Sequence, residues 1–446
     1  MPQTHEYDCL VLAKWLIPIE PAAVVLENYG LVVDGDRIAM VAPRQELLKH
    51  SYRRVVELPD SAILPGLINA HGHAAMSLFR GMADDLPLQA WLQKHIWPAE
   101  AQWVSEDFVA AGADLAIAEQ LLAGITCFAD MYFHPQTLCA RVHHSGIRAQ
   151  VFMPIVDASI PGARTVDDAI SQALELHDDF RHHPRIRPGF GPHAPYTVSD
   201  ASLNKLLTLI NQLDAAVQMH VHETAREVED SMRQYGMRPL ARLAELDLLG
   251  PRFQAVHMTS VNSQDIELLL QNNCSVVHCP NSNLKLASGF CPVERLRHAG
   301  INVALGTDGA ASNNSLGLLE EARSAALLAK AIAQDAGALN AHQTLRMATL
   351  NGARAMGMQD QIGSLVAGKL ADFISINLGE LTTQPVYDAA SAIVYAAGSS
   401  QVEHVWVGGK QLVESRQLLH MDAEQIGATA RQWQQRISKK PPELAS

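Results

Sequence analysis

The sequence lacks an excess of basic residues and a long uninterrupted apolar run. It carries 34 Lys and Arg against 47 Asp and Glu, and no basic stripe offsets the formal net charge of −13. Such a chain has no general affinity for phosphate backbones. The apolar stretch 9–26 is interrupted by Lys14, Pro18 and Glu20, and it therefore cannot span a membrane. We expect no nucleic-acid or membrane partner, and a small neutral or zwitterionic molecule fits the charge better.

The sequence also lacks a disulfide framework and a secretion signal. Its six cysteines form no C-x-x-C pair, and their expected state is that of reduced, buried thiols. The N-terminal segment has Glu6 and Asp8 at positions where a signal peptide carries basic and then apolar residues. Together these absences predict a cytoplasmic protein.

Apolar material, in contrast, is sufficient for a large core. Hydrophobic residues make up 48% of the 446 residues, which predicts one large and one smaller domain. Short strands and turns are predicted at both ends, around 8–16 and 29–41 and again around 371–376 and 402–407. We expect the two β-rich ends to pair into one domain that flanks an inserted central domain, and the tail 439–446 to be disordered.

Between the two ends, apolar β-type runs alternate with amphipathic helical patterns. Helices are predicted at 106–122, 166–180, 199–213 and 263–272. Eight strands that are each followed by a helix describe a (β/α)8 barrel, whose active site lies at the carboxyl ends of the strands. A doubly wound sheet gives a similar alternation, so both α/β architectures stay open at this point. The candidate strands lie near 63–68, 125–130, 147–153, 186–190, 216–222, 253–258, 274–278 and 302–306.

Two of the predicted strands carry pairs of histidines. His71 and His73 follow the first strand, and residues two apart in an extended chain share a face. On the fifth strand His220 and His222 alternate with apolar residues, and Glu223 follows directly. Converging imidazoles suit a divalent cation such as zinc, with surface or hydrogen-bonded core histidines as the alternative.

Two further strands end in groups of the same kind. The sixth predicted strand ends in His257, and the eighth ends in Asp308. A carboxylate that closes a hydrophobic strand needs a metal, a cation or a helix N-terminus beside it, and an N-cap is the structural alternative for Asp308. In a barrel, all these groups would lie on the catalytic face, which predicts a metal site there.

Longer motifs surround these residues. They are P-G-L-I-N-A-H-G-H (65–73), H-V-H-E (220–223), His257, H-C-P-N-S-N (278–283), G-T-D-G (306–309) and G-x-L-x-x-G-K-x-A-D-F (363–373). Their order and their spread over nearly the whole chain resemble the amidohydrolase superfamily. The resemblance implies an α/β fold, a (β/α)8 barrel with a small composite β-sandwich from both termini. The implied limits are 1–62 for the first sandwich part, 63–365 for the metal-dependent catalytic barrel, and 366–446 for the second sandwich part with a C-terminal helix and tail.

Three more motifs narrow the resemblance. W-L-x-x-x-I-W-P-x-E (91–100), G-P-H-A-P-Y (191–196) and T-D-G-x-x-S-N-N (307–314) are similar to motifs of the 5′-methylthioadenosine/S-adenosylhomocysteine deaminases. The fourth predicted strand, 185–189, lacks the lysine that bridges two metals in other superfamily members. The resemblance therefore implies one divalent cation per subunit, with Zn²⁺ expected, and a homo-oligomer that is a dimer or larger.

Carried over residue by residue, the resemblance assigns roles to individual side chains. The H-x-x-E pattern selects His220 over His222 as a ligand, Glu100 resembles a carboxylate that grips the ribose, and Arg164 resembles an arginine that reaches the substrate tail. The implied metal ligands are His71, His73, His220 and Asp308. The implied catalytic groups are Glu223, His257 and Asp308. The implied substrate contacts are Glu100, His193, Glu223, Arg164, Trp97 and Ser312.

The implied reaction is hydrolytic deamination at C6 of an adenosine-type nucleoside, which releases ammonia. A second family arginine is replaced near Met153, although Arg148 starts the same strand. This departure favours 5′-methylthioadenosine over S-adenosylhomocysteine, with adenosine as a further candidate. One alternative is a relative that acts on a free base such as guanine, or a triazine chlorohydrolase. Another is a catalytically inactive binding barrel, which predicts a missing ligand or proton shuttle.

Overall fold

The computed structural model describes residues 5–439, which contain two β-sheets. Nine strands from the two ends of the chain form one sheet, and eight strands from its middle form the other. In chain order the strands are β1 Glu6–Leu16, β2 Leu26–Glu27, β3 Tyr29–Asp34, β4 Arg37–Pro43, β5 Ser51–Pro65, β6 Leu67–Asn69, β7 Ile125–Met131, β8 Arg148–Ile155, β9 Ile186–Pro192, β10 Ala216–Val221, β11 Phe253–His257, β12 Ser275–His278, β13 Asn302–Leu305, β14 Phe373–Asn377, β15 Val402–Val407, β16 Lys410–Glu414 and β17 Gln417–Leu418.

Strands β6 to β13 form a parallel sheet in sequence order. The sheet closes on itself where the Ala70 backbone N–H donates to the Leu305 carbonyl oxygen at 2.8 Å. A doubly wound sheet would change its strand order and keep two open edges, so this closure excludes that alternative. The predicted (β/α)8 barrel is confirmed.

Helices follow the barrel strands and bury the outward-facing side chains of the barrel. Short 3₁₀-helices lie at Ala74–Phe79 and Ser399–Gln401, and a π-helical turn lies at Leu92–Ile96. The α-helices are α1 Arg44–Leu47, α2 Leu88–Trp91, α3 Trp97–Trp103, α4 Glu106–Leu122, α5 Pro135–Ser145, α6 Val166–Phe180, α7 Asp200–Leu213, α8 Ala225–Tyr235, α9 Pro239–Glu245, α10 Ser263–Gln271, α11 Pro280–Lys285, α12 Val293–His298, α13 Ala310–Asn313, α14 Leu318–Ala333, α15 Ala341–Met347, α16 Leu350–Ala355, α17 Ala389–Tyr395 and α18 Ala423–Lys439.

The helix starts are encoded locally. Helix α4 begins after Ser105, whose hydroxyl accepts a hydrogen bond from a first-turn backbone N–H. Helix α6 begins after Thr165, which forms a reciprocal capping box with Asp168. Because such signals need only neighbouring residues, the predicted helices 106–122 and 166–180 are confirmed at both ends.

The predicted first barrel strand, 63–68, is divided between the two sheets. Residues up to Pro65 belong to β5 of the terminal sheet, and the barrel strand β6 begins at Leu67. A Cβ atom on Gly66 would lie 2.0 Å from the Thr126 hydroxyl oxygen, far inside contact distance. The chain can therefore pass from one sheet to the other here only because this residue has no side chain.

The terminal sheet joins both ends of the chain. Strand β5 pairs antiparallel with β14, with Pro65 opposite Phe373 and Ser61 opposite Asn377. The predicted β-domain from both termini is confirmed, whereas the limits 1–62, 63–365 and 366–446 stay predictions. The predicted disordered tail lies outside the described residues, apart from Lys439, which ends α18.

The cysteines and the lengths of the apolar helices can be compared with what the sequence predicts. All six cysteines are free thiols, five of them buried, and Cys9 is partly exposed, as the sequence predicts. Within residues 5–439, no helix combines the length and the apolar character needed to cross a bilayer.

Candidate active site

The carboxyl ends of the barrel strands carry a cluster of histidines and one aspartate. His71 and His73 directly follow β6, His220 lies in β10, His257 ends β11 and Asp308 follows β13. The backbone is left-handed at His257 and Asp308, with φ of 76° and 61°, a conformation that side chains other than glycine rarely adopt. The structure brings together all five groups that the strand-end pattern indicates.

The ligand atoms of this cluster face one another. His71 Nε2 lies 3.2 Å from His220 Nε2 and 3.5 Å from Asp308 Oδ1, and His73 Nε2 lies 3.3 Å from the same oxygen. The ligand atoms of His71, His73 and Asp308 all lie within 4.8 Å of one another, and so do those of His71, His220 and His257. The two groups share His71, so they describe one site.

The other ring nitrogen of each expected histidine ligand already has a partner. A carbonyl oxygen only accepts, so Nδ1 carries a proton in each ring, and in the neutral rings of His71 and His220 Nε2 therefore presents a lone pair. Two such lone pairs 3.2 Å apart repel each other unless a cation lies beside them. This set of donors therefore fits a divalent cation. Each Nδ1 lies within 2.7 Å of a carbonyl oxygen, that of the Gln218 side chain for His71, of the Met131 backbone for His73 and of the His193 backbone for His220.

Burial and charge set the protonation of the cluster. Burial lowers the pKa of His71 and His220, which keeps both rings neutral at pH 7. Burial alone would raise the pKa of Asp308, but His71 and His73 hold it well below its usual range. Burial also lowers the pKa of His73, yet the hydrogen bond and charge of Asp308 outweigh burial and raise it to about 9. Because neutral imidazoles and an ionised carboxylate are the forms that bind a metal, His71, His220 and Asp308 are in the binding form at pH 7, and His73 must release a proton when a cation binds.

Glu223 and His257 lie beside the cluster. The Glu223 Oε1 atom is 3.9 Å from His257 Nε2. Burial, with a contribution from the charge of Asp308, raises the pKa of Glu223 to about 8. His257 Nδ1 lies 2.9 Å from Asn283 Oδ1, an acceptor that turns the other ring nitrogen toward the cluster. At neutral pH Glu223 is therefore a carboxylic acid that can donate a proton.

A cavity of about 680 Å³ opens above the cluster. Glu100 is buried in its wall, and burial raises the pKa of this carboxyl to about 7 while the Tyr132 hydroxyl opposes the rise. His193 and Trp97 also line the cavity, and Trp97 is 39% exposed. The structure therefore places three of the expected substrate contacts, with Glu223, around one space.

Two expected substrate contacts are not placed on the cavity. Arg164 is exposed beyond its rim, where its backbone N–H donates to Asp168 at the start of α6. Ser312 is buried, and its hydroxyl donates to Asp308 Oδ2 at 2.9 Å. The Ser312 hydroxyl is thus directed at a cluster residue, and its contact with the substrate stays a prediction.

Met153 and Arg148, the residues at and near the position of the replaced family arginine, do not line the cavity. Successive residues of a strand point to opposite faces. Pro154 lines the cavity, and Met153 is fully buried among the apolar residues between strands and helices. Arg148 forms a bidentate pair with Asp372 at the opposite end of the barrel, with contacts of 2.9 and 3.0 Å. Neither side chain reaches the cavity.

Three supporting residues received no role from the sequence. Ser282 donates to Asp308 Oδ2 at 2.6 Å, Asn283 accepts from His257, and Gln218 accepts from His71. Ser282 and Asn283 lie within the H-C-P-N-S-N motif, so that motif was the available signal for both. For Gln218 the signal was its place on the same face of β10 as His220.

Comparisons of the sequence agree with this geometry. The amidohydrolase family model matches residues 62–412. A 5-methylthioadenosine/S-adenosylhomocysteine deaminase of Teredinibacter turnerae is 48% identical over 441 residues, which cover 99% of this chain and 100% of the relative. A protein of the same name from Saccharophagus degradans is 49% identical over 96% of this chain and 97% of its own length.

Comparisons of the structure point the same way. The crystal structure of an adenosine deaminase from Xanthomonas campestris with bound zinc has a TM-score of 0.97 and 48% identity, and covers 98% of this chain and 100% of its own. Atrazine chlorohydrolase from Arthrobacter aurescens, with a TM-score of 0.87 at 24% identity over 95% of this chain and 99% of its own, shares the fold. The chain belongs to the amidohydrolase family, among relatives named 5-methylthioadenosine/S-adenosylhomocysteine deaminases.

Proposed function

We propose that this enzyme hydrolytically deaminates the C6 position of adenosine-type nucleosides, with 5′-methylthioadenosine as its preferred substrate. The products are the 6-oxo nucleoside and ammonia. One observation carries the proposal: three histidines and one aspartate converge beside a protonated carboxyl, Glu223, at the floor of a cavity that also holds Glu100. The names of the full-length relatives support the same reaction.

The proposed metal is one Zn²⁺ per subunit, held by His71, His73, His220 and Asp308. Imidazole nitrogens and carboxylate oxygens are both donors that zinc binds in proteins. The zinc in the Xanthomonas campestris adenosine deaminase supports this choice. When bound, the cation would make water nucleophilic at neutral pH by lowering its pKa to about 7.

The side chains around this site can move the protons of the reaction. Glu223, with its pKa raised to about 8, can protonate the purine N1 so that negative charge does not build up on the ring. His257 is held by Asn283 beside the cluster, where it can orient the attacking water. Asp308 can take one proton from the attacking water and pass it to the amino group, which leaves as ammonia. The second proton of the water can return to Glu223 as the 6-oxo group forms.

The cavity favours a neutral 5′ substituent. We assign Glu100 to the ribose hydroxyls, and the 5′ substituent would then face the apolar part of the cavity wall. This wall includes Leu88, Trp91 and Ile96, and among the described lining residues none is Lys or Arg. A carboxylate tail would lose water there without gaining a cationic partner, whereas a methylthio group would not. We therefore propose that methylthioadenosine is preferred to adenosylhomocysteine.

The proposal extends to the compartment and the assembly of the enzyme. The unpaired thiols fit a reducing compartment, and we place the enzyme in the cytoplasm. A homo-oligomer follows from the family resemblance alone. Size-exclusion chromatography with light scattering would test that assembly, and a monomeric mass would refute it.

The reaction is tested by ammonia release from 5′-methylthioadenosine, S-adenosylhomocysteine, adenosine and guanine with the zinc-loaded enzyme. We expect turnover of the nucleosides, with the highest kcat/KM for methylthioadenosine, and no turnover of guanine. The matched variant Glu100→Gln should raise KM for the nucleosides because it weakens the ribose contacts. Deamination of guanine, or activity on none of the four compounds, would refute the proposal.

A further inference from the structure

Three buried glutamines form a hydrogen-bonded chain inside the barrel beneath the metal cluster. The Gln218 Nε2 atom donates to Gln254 Oε1 at 2.7 Å, and Gln254 Nε2 donates to Gln150 Oε1 at 2.9 Å. None of the three is more than 2% exposed. The interior of such a barrel is ordinarily filled by branched apolar side chains, and burying amides is costly unless they are hydrogen-bonded. The burial of these three amides inside the barrel therefore requires a physical explanation.

The chain begins at a metal-binding histidine. Gln218 Oε1 lies 2.7 Å from His71 Nδ1. Gln218 and His220 are two residues apart on β10 and point to the same face, so the amides lie one layer below the ligands. Gln218 is also paired in register with Gln254 on β11. The sheet geometry thus connects the amides directly to His71.

A backbone carbonyl sets the direction of the whole chain. Gln218 Nε2 also donates to the Ala70 carbonyl oxygen at 3.0 Å, and because that oxygen can only accept, the amide nitrogen must lie on this side. The amide oxygen of Gln218 must then face His71. His71 can satisfy that oxygen only with a proton on Nδ1, which leaves the lone pair of Nε2 for the cation.

The other two histidine ligands are oriented differently. His73 and His220 donate to the backbone carbonyls of Met131 and His193. Backbone acceptors do not depend on the identity of the side chain, so no substitution removes them. Among the three histidine ligands, only His71 is oriented by a hydrogen bond to a side chain, so a mutation can test what orients it.

We propose that Gln218, supported by Gln254 and Gln150, is a positioning residue that fixes the tautomer and orientation of His71 for cation binding. The inference rests on the metal site of the proposed function. Partners of this kind hold a metal-ligating imidazole in place, and their loss ordinarily weakens metal affinity about 10–100-fold. Gln218 acts through His71 and does not touch the substrate.

The test uses Gln218→Met, which keeps the length of the side chain and removes its hydrogen bonds. We expect its Zn²⁺ affinity, measured by competition with a chromogenic chelator, to fall about 10–100-fold. The cobalt-loaded variant should also show an altered visible absorption spectrum. Gln218→Glu keeps an acceptor for His71 and should restore most of the affinity, which a purely structural role would not predict.

The matched control is Gln411→Met. Gln411 is also a buried glutamine next to a histidine, with Nε2 3.1 Å from His404 Nδ1, but it lies in β16 of the terminal sheet. Its loss should lower thermal stability and leave the Zn²⁺ affinity and the cobalt spectrum unchanged. If Gln218→Met does not fold, Gln254→Met replaces it in the test. The Ala70 carbonyl oxygen still holds Gln218 in that variant, so we expect a smaller loss of Zn²⁺ affinity, of about threefold or more.

The outcomes separate this inference from the proposed function. A folded Gln218→Met with Zn²⁺ affinity within about twofold of the parent and an unchanged cobalt spectrum would overturn the inference. A parent that binds Zn²⁺ tightly but deaminates no nucleoside would refute the proposed function, while a weakened Gln218→Met would still support the inference. A parent that binds no divalent cation would refute both.

Discussion

The two ends of the barrel both bury charged groups, but only one end satisfies them internally. At the amino ends of the strands, Arg148 and Asp372 form a bidentate pair, and Arg148 also donates to the Pro184 carbonyl oxygen. The Gly408 backbone N–H donates to the same aspartate. At the carboxyl ends, the histidine Nε2 lone pairs face one another with no donor between them.

This difference distinguishes buried charges that stabilise the fold from buried groups that bind a cation. A buried ion pair with complete hydrogen bonding needs nothing further, and its loss exposes an uncompensated charge. A set of converging lone pairs is complete only when a cation from outside joins it. Burial by itself therefore does not mark a functional residue in this chain, whereas an incomplete set of buried partners does.

The largest effect on activity should come from Glu223→Gln. A glutamine keeps the shape but cannot supply the proton, so kcat for methylthioadenosine should fall about 10²–10⁴-fold. Zinc content, measured by mass spectrometry, should not change. The control is Glu321→Gln, a second buried carboxyl with its pKa raised to about 8 that does not line the cavity. Equal losses in the two variants would contradict the role of Glu223.

The largest effect on stability should come from the opposite end of the barrel. Asp372→Ala leaves Arg148 buried without its partner and should lower the free energy of unfolding by about 3–5 kcal/mol. Urea unfolding measures this loss, and zinc affinity should stay near that of the parent. The double variant Arg148→Met/Asp372→Leu should recover much of the stability. If Asp372→Ala lost zinc affinity but not stability, the two ends of the barrel would not have separate roles in stability and cation binding.

A smaller effect on turnover is expected from Ser312→Ala. Its hydroxyl donates to Asp308 Oδ2, as does that of Ser282, so one hydrogen bond to a charged group is lost. Such a bond contributes about 1.5 kcal/mol or more, which corresponds to about a tenfold lower kcat. Steady-state kinetics with methylthioadenosine should show an unchanged KM. A raised KM with unchanged kcat would instead support the substrate contact expected from the sequence.

The last effect appears only in acid, in the free energy of unfolding. Burial lowers the pKa of His278 to about 3, below the value near 6.5 that an unfolded chain gives it. The stability that follows from this difference is complete above pH 6.5 and is lost as the pH falls toward 3, by about 1.4 kcal/mol per pH unit. In urea unfolding of the metal-free protein, His278→Gln should show a shallower loss between pH 6.5 and 5. Identical slopes for parent and variant would show that His278 does not titrate in this way.

Much of the fold could be predicted because its signals are local. The helices at 106–122 and 166–180 depend on a cap residue and the pattern that follows it, all within one segment. The strand predicted at 63–68 was wrong in one respect, since Gly66 divides it between two sheets. That division depends on Thr126, a residue of the neighbouring strand, which no local pattern around Gly66 contains.

Some residues of the candidate site could be predicted from the sequence, and the contacts of others could not. The histidines and Asp308 could be recognised because each ends a strand, and parallel strands of a barrel end on one face. The contact between Ser312 and Asp308 and the direction of the Met153 side chain had no signal in the sequence. The direction of each side chain depends on the pleat of its strand or on a contact across two loops, and a motif match contains neither.

The order of the residues alone determined the alternation of strands and helices and the chemical types at the strand ends, and hence the divalent cation to expect. The expected reaction came from the resemblance of its motifs to a known family. Only the tertiary structure decided which nitrogen of each histidine faces the site, which serines hold Asp308, and that Arg148 stabilises the far end of the barrel. The physical reason is distance: composition and periodicity act between neighbours in the chain. Hydrogen bonds such as that from His71 to Gln218 join residues 147 positions apart.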